Sequence, residues 1–242
     1  MKNFLLAGLL AALALPAGAD AVNIYAHINY WYTDARGGME APDFNGYSLQ
    51  LDERSMEGES NAMLMLAIEH PVPVLPNIRL AHSRIRHNGQ GTFVWNNTPY
   101  SVQGEIDLSH TDLTAYYRLP VPLLDLNLGL TGRFYDGHIQ SQVANAQLQT
   151  EYLHIYLATR FDIPVTGLAI GADINAGDNG DERGVDIDAW LQYTSPIGLG
   201  VIAGYRSLDI DLESTARAAG NKVALLAEFE VTGPYLGISY RF

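Results

Sequence analysis

The 242-residue chain has no cysteine and only two lysines, Lys2 and Lys222. Without cysteine there is no disulfide, no thiolate nucleophile and no thiolate metal ligand. Fourteen basic against 27 acidic side chains give a formal charge of −13. That balance excludes a polybasic nucleic-acid face. The near-absence of lysine also argues against docking to anionic headgroups through that residue. Long apolar runs are missing too: no stretch reaches the ~18 residues of a membrane-spanning helix. The 48% hydrophobic fraction does not separate an exported soluble domain from a membrane barrel, because barrel strands alternate apolar with polar residues and look average in composition.

What is present begins with a three-part leader. Met1-Lys2-Asn3 is positive, Phe4 to Leu15 is apolar, and Pro16-Ala17-Gly18-Ala19-Asp20-Ala21 closes in small residues. This predicts a secretory signal peptide over residues 1–21, cleaved after Ala19 or Ala21, with an apolar stretch too short for a membrane anchor. Cleavage after Ala19 removes Lys2 and no acid, so −13 becomes −14. The mature part, 22–242, reads as one domain of period-two strands. Leu124, Leu126, Leu128 and Leu130 alternate with Asp125, Asn127, Gly129 and Thr131. Val185, Ile187, Ala189 and Leu191 alternate with Asp186, Asp188, Trp190 and Gln192. A helix would scatter such sets, whereas a strand puts each on one face. A soluble sandwich alternates as well, so this pattern favours a membrane barrel only mildly.

The turns discriminate better. Four proline-containing apolar turns recur: His70-Pro71-Val72-Pro73-Val74-Leu75-Pro76-Asn77, Leu119-Pro120-Val121-Pro122-Leu123, Ile163-Pro164-Val165-Thr166-Gly167 and Ser195-Pro196-Ile197-Gly198. Proline cannot donate to a ladder, so each ends a strand. Between them lie longer polar segments over 34–60, 88–104, 136–149, 176–183 and 213–226. Short turns alternating with long loops are the pattern of outer-membrane barrels. Four short turns separate five up-loop-down units, which predicts an antiparallel up-and-down transmembrane β-barrel of about ten strands, an even number as single-chain bacterial barrels require. Eight is the alternative if one weak pair is only a loop hairpin. The third strand, with Ile78, Leu80, His82, Arg84 and Arg86, mixes its faces most.

The last strand places Leu236, Ile238, Tyr240 and Phe242 on one face and ends on the aromatic residue. This resembles the C-terminal signal by which outer-membrane barrels are recognised for insertion, and it implies the barrel assembly machinery as a partner. Upstream, the apolar phase shifts from Ala227, Phe229 and Val231 to the later set at Gly233-Pro234, which reads as a β-bulge. The segments HPVPVLPN (70–77), DLSHTDLTAYY (107–117) and GPYLGISYRF (233–242) resemble a family of uncharacterised Gram-negative outer-membrane β-barrel proteins. The resemblance implies the barrel and an outer-membrane location, and assigns no substrate or catalytic residue.

With apolar faces outward, the inward set is His27, Glu69, Arg84, His110, Asp112, Arg118, Asp125, Arg133, His154, Arg160, Asp173, Asp186, Asp188, Arg206 and Arg241. A barrel of this size is narrow and mostly filled by side chains, and mixed signs are what a packed polar interior needs. The expected function is therefore a non-enzymatic barrel with a polar, plugged lumen. A narrow channel or small-solute binder is the first alternative and an enzyme at the barrel rim the second. Ser109-His110-Thr111-Asp112 suggests a nucleophile, base and orienter, but neighbours on a strand point to opposite faces, so Ser109 and His110 do not easily meet. Asp173, Asn175, Asp178, Asn179, Gly180, Asp181 and Glu182 cluster with oxygen ligands, yet their spacing departs from the calcium loop. Asn179-Gly180 is a hairpin signal, so a plain turn is expected. The acidic segment with Asp34, Glu40, Asp43, Asp52, Glu53, Glu57 and Glu59 reads as a solvated loop. Tyr30, Trp31, Tyr32, Tyr116, Tyr117, Phe134, Tyr235, Tyr240 and Phe242 are girdle candidates. No catalytic, metal or cofactor site is assigned. The expected partners are outer-membrane lipids and lipopolysaccharide.

Overall fold

The computed structural model describes residues 22–41, 47–51, 59–72, 74–95, 98–141, 145–178, 180, 182–218 and 221–242. The signal-peptide segment, 1–21, lies outside the described residues. The elements are strands throughout: β1 (Asn23–Ala41), β2 (Tyr47–Leu51), β3 (Glu59–Glu69), β4 (Asn77–Arg84), β5 (Arg86–Trp95), β6 (Thr98–Asp107), β7 (His110–Val121), β8 (Leu124–Ser141), β9 (Asn145–Ile163), β10 (Leu168–Asp178), β11 (Glu182–Thr194), β12 (Leu199–Ala218) and β13 (Asn221–Arg241). Among the described residues no helix is long and apolar enough to cross a membrane.

Ten of these strands close a ring by antiparallel neighbours, β1-β3-β4-β7-β8-β9-β10-β11-β12-β13 and back to β1. The remaining three continue the wall at its far end. β5 prolongs β4 past Ile85, β6 leads into β7 across Leu108-Ser109, and β2 precedes β3. They pair as β1-β2-β5-β6-β8 and so take the places of β3, β4 and β7 in the ring, while beyond the ends of β10 and β11 strand β12 pairs with β9 at Arg217↔Asn145. The ring has no open edge, as required of a sheet that crosses lipid.

The proline turns connect β3 to β4, β7 to β8, β9 to β10 and β11 to β12, all at the end that carries Asn23 and Arg241. Short turns mark the periplasmic rim. The opposite end differs from the sequence expectation. Much of 34–60, 88–104, 136–149, 176–183 and 213–226 is strand, because the hairpins extend beyond the lipid-facing zone. Asp43, Asp52, Glu53 and Glu57 lie outside the described residues.

The reason is an inversion of faces. Within the lower part, lipid-facing positions are apolar: Ile28 and Tyr30 on β1, Leu128 and Leu130 on β8, Leu153 and Ile155 on β9, Leu236 and Ile238 on β13 are exposed. Above it the same strands turn apolar side inward. Trp31, Ile85, Ile106, Leu108, Leu208, Ile210, Phe229 and Val231 are all fully or almost fully buried, while Asp34, Arg36, Asp209, Asp211 and Glu228 face out. Arg36 and Glu230 are cross-strand partners and form an ion pair on that outer face. The lower half is solvated by lipid and the upper half by water, so the burial rule changes sign along one strand.

This corrects the reading of Gly233-Pro234. No bulge is present. β13 keeps one register with β12, from Leu199↔Tyr240 to Ala218↔Asn221. It also keeps one register with β1, Trp31↔Tyr235 below and Asp34↔Thr232 above. Proline lacks the N–H that would complete the ladder there, and the apolar phase shifts because the surroundings change, not the backbone.

Candidate functional site

Position parity along each strand fixes what enters the lumen. His27, Glu69, His110, Asp112, Arg118, Asp125, Arg133, His154, Arg160, Asp173, Asp186, Asp188 and Arg206 all lie on inward positions. Arg84 does not. It is exposed on the outer wall in the row Ile78, Leu80, His82, Arg84, Arg86. Ile78 and Leu80 face lipid at the bottom of this row and the polar members lie above the apolar band, where His82 Nδ1 sits 3.0 Å from the Thr111 hydroxyl. The inward cation on β4 is Arg79, five residues earlier and therefore on the opposite face. Arg241 sits at the periplasmic rim over Tyr25.

The upper lumen is crossed by a chain of four charges. Arg133 donates from Nε and Nη2 to the two oxygens of Asp112, both at 2.8 Å. It also donates at 2.5 Å to Asp186. Arg206 reaches Asp186 from the other side, at 2.8 and 2.6 Å. Its Nη1 donates to Ser83 at 2.7 Å, and its guanidinium lies 5.0 Å from the Trp31 ring centre. These contacts link β7, β8, β11, β12, β4 and β1, opposite walls included. Arginine suits this role because its planar fork grips a carboxylate with two parallel bonds.

His110, Asp112 and Asp186 place ligand atoms within 4.8 Å of one another. The two guanidiniums already occupy those carboxylates, and their charge opposes a metal ion. His110 is also engaged on both nitrogens. Nδ1 lies 3.0 Å from the Leu108 carbonyl and Nε2 lies 3.3 Å from Arg206 Nη2. That network calls for the proton on Nδ1, with Nε2 accepting. Ser109 is elsewhere: its hydroxyl accepts the Ile85 N–H at 3.1 Å and its own N–H donates to Asp107. The Ser-His-Asp alignment is therefore not assembled.

Below the charge chain lies a cavity of about 140 Å³. Its lining runs from Tyr25, Glu69, Arg118 and Asp125 at the rim to Asp112, Asp186 and Arg206 at its inner end. Glu69 accepts from Arg118 at 2.6 Å and from the Tyr116 hydroxyl at 3.0 Å. Arg160 donates to Gln192, which donates on to Ser239, both at 2.8 Å. Midway, Arg79 lies 3.7 Å from Asp173 and over Tyr156. Asp173 and Asp188 are direct cross-strand partners. Asp188 accepts the Tyr235 hydroxyl at 3.1 Å through one oxygen. Its other oxygen, with Oδ1 of Asn29 and of Asn127, has no hydrogen-bond partner among the described residues. The cavity is thus a vestibule that reaches from the periplasmic rim to the charge chain, with the buried side chains of the upper half above it.

Trp31, Tyr116 and Tyr235 belong to this interior rather than to a girdle, while Tyr30, Tyr32, Tyr117, Phe134, Tyr240 and Phe242 face outward. Parity could have placed Tyr116, which shares a face with Asp112 and Arg118. Trp190 needs a missing side chain opposite: a Cβ on its partner Gly171 would lie 2.3 Å from the indole and 2.4 Å from the Thr159 carbonyl. Gly171→Val is expected to cost roughly 1–3 kcal/mol through overpacking, read as a lower urea midpoint in detergent.

The acidic cluster near β10 is a turn where it is described, with Asp178 Oδ1 accepting the Gly180 N–H at 3.3 Å. Asp173 and Asn175 of that cluster line the lumen. Asn179 and Asp181 lie outside the described residues.

No protein-family profile matches the sequence, and no curated protein matches it. Solved structures do. The outer-membrane protease OmpT of Escherichia coli aligns over 95% of this chain and 99% of its own, with a TM-score of 0.53 and 11% identity. The translocator domain of the autotransporter NalP from Neisseria meningitidis covers 100% of this chain and 96% of its own, at TM-score 0.43 and 14% identity. OprG of Pseudomonas aeruginosa covers 93% and 96%, at TM-score 0.40 and 12% identity. The fold is that of the outer-membrane β-barrel proteins, in agreement with the closed ring and its lipid-facing band.

Proposed function

We propose that the protein is a non-enzymatic outer-membrane barrel whose lumen is closed to through-passage. The observation that carries this reading is the Asp112-Arg133-Asp186-Arg206 chain lying across the lumen beneath a layer of buried side chains, Trp31, Ile85, Leu208 and Phe229 together with the hydrogen-bonded Thr33, Asn61 and His87. An ion would have to break buried charge pairs and then displace buried side chains above them, both costly steps. Its partners are the lipids around the band and lipopolysaccharide at the outer face, where Arg84 and Arg86 are exposed. The assembly machinery is the third partner, reading Leu236, Ile238, Tyr240 and Phe242 on the outward side of β13. Ser109, His110 and Asp112 are committed to other bonds, which argues against rim catalysis. The test is conductance of the purified, refolded protein in a planar bilayer. A silent membrane is expected, and stepwise currents would sink the proposal.

A second reading is favoured by one observation, the vestibule with three unpartnered acceptor oxygens. A cavity of that order takes a benzene-sized molecule, and lone acceptors call for a hydrogen-bond donor. Under this reading the vestibule is a small-solute site reached from the periplasm. Calorimetry with small amines and polyols is expected to give heat that Asp188→Asn abolishes. Heat unchanged in that variant, or none in the parent, removes the reading.

A further inference from the structure

Among the described residues, the four most exposed large apolar side chains are Val165, Leu123, Val74 and Ile197, at 107%, 87%, 81% and 75%. Each belongs to a different periplasmic turn, and together they account for all four. Residues 71–76, 122–123, 164–167 and 195–198 contain no charged side chain. The fifth position on the rim, where β13 meets β1, carries exposed Phe242 and Val22. Leu123 and Val165 are held at φ 65° and 61°, in the left-handed region where glycine is usual and a β-branched residue is an outlier. Turns facing water ordinarily use polar residues and glycine at such positions.

We propose that these turns are seated in the acyl–headgroup boundary of the inner leaflet, with phospholipid as their partner. Three observations support that occupant. The apolar tips continue the lipid-facing band without a break: Ile68 and Ile78 flank the first turn, Phe161 the third, Tyr193 and Leu199 the fourth, all exposed outward. The tips are also separated around the whole circumference. A planar lipid layer meets such a ring everywhere at once, whereas a protein partner needs one contiguous patch. Finally, the charges at this level lie toward the lumen mouth, where Arg118 pairs with Glu69 and Arg160 with Asp162. The rim is amphipathic across its thickness, polar inside and aliphatic outside. The hydrophobic effect then draws the outer ring into the membrane, and the vestibule opens at headgroup level.

The absence of cysteine makes the test clean. Leu123→Cys, Val165→Cys and Ile197→Cys each carry one environment-sensitive dye, in full-length mature protein refolded into phosphatidylethanolamine–phosphatidylglycerol vesicles. Asp211→Cys, on the water-facing outer wall, is the reference. Heat-shift electrophoresis verifies folding of each variant, and three turn sites keep the test intact if one fails. Dyes at the turns are expected to emit blue-shifted light. Phospholipid spin-labelled near the headgroup should quench them several-fold more than the reference. Iodide present on both sides of the bilayer should quench them several-fold less. Iodide quenching equal to that at Asp211→Cys overturns the proposal, because the turns would then stand in water, free for a protein partner instead.

Discussion

Arg133→Met is expected to destabilise the barrel by about 3–5 kcal/mol, the cost of leaving a buried partner charge uncompensated. Arg133 is fully buried and supplies both bonds to Asp112. After the substitution Asp112 keeps no cation within bonding distance, whereas Asp186 keeps Arg206. The loss should therefore concentrate on one carboxylate. Adding Asp112→Leu should restore much of the stability, since replacing a whole buried pair by apolar groups is often neutral. Urea unfolding of the single and double variants, read as a double-mutant cycle, measures the coupling. Additive losses would mean that the two side chains do not depend on each other, and the plug would have to be reconsidered.

The second large effect is expected at Phe229. It is 1% exposed in the water-surrounded upper half, packed inside the wall. Phe229→Ala should cost about 3–5 kcal/mol, a transfer term plus a cavity the neighbours cannot fill. Leu236→Ala, seven positions on and lipid-facing, should cost less, because acyl chains close around the missing atoms and no cavity remains. Unfolding both variants in the same vesicles gives the comparison directly. Similar losses would return Phe229 to the lipid side, as a bulge at Gly233-Pro234 would have it.

The ring, its ten strands and its polar interior are legible in the sequence because they depend on local rules: parity, proline turns and the alternation of short with long connections. His110, Asp112, Arg133, Asp186 and Arg206 follow from parity alone. The bonds among them do not, since they join walls far apart in sequence. Arg84 is misplaced for a physical reason. Ile78 and Leu80 require the even positions of that strand to face outward, so Arg79 is the inward residue; above the band an outward arginine meets water and costs nothing. The same change of surroundings makes upper strands such as 213–218 and 221–226 resemble loops. The vestibule needs three-dimensional closure and has no linear signature.

The inversion at Gly233-Pro234 also sets where the molecule floats. Were the barrel to ride higher, Leu236 and Ile238 would meet water; were it to sink, Glu228 and Glu230 would enter oil. Each direction is penalised, so the strand carries its own waterline, and the closed ring levels it across all ten staves.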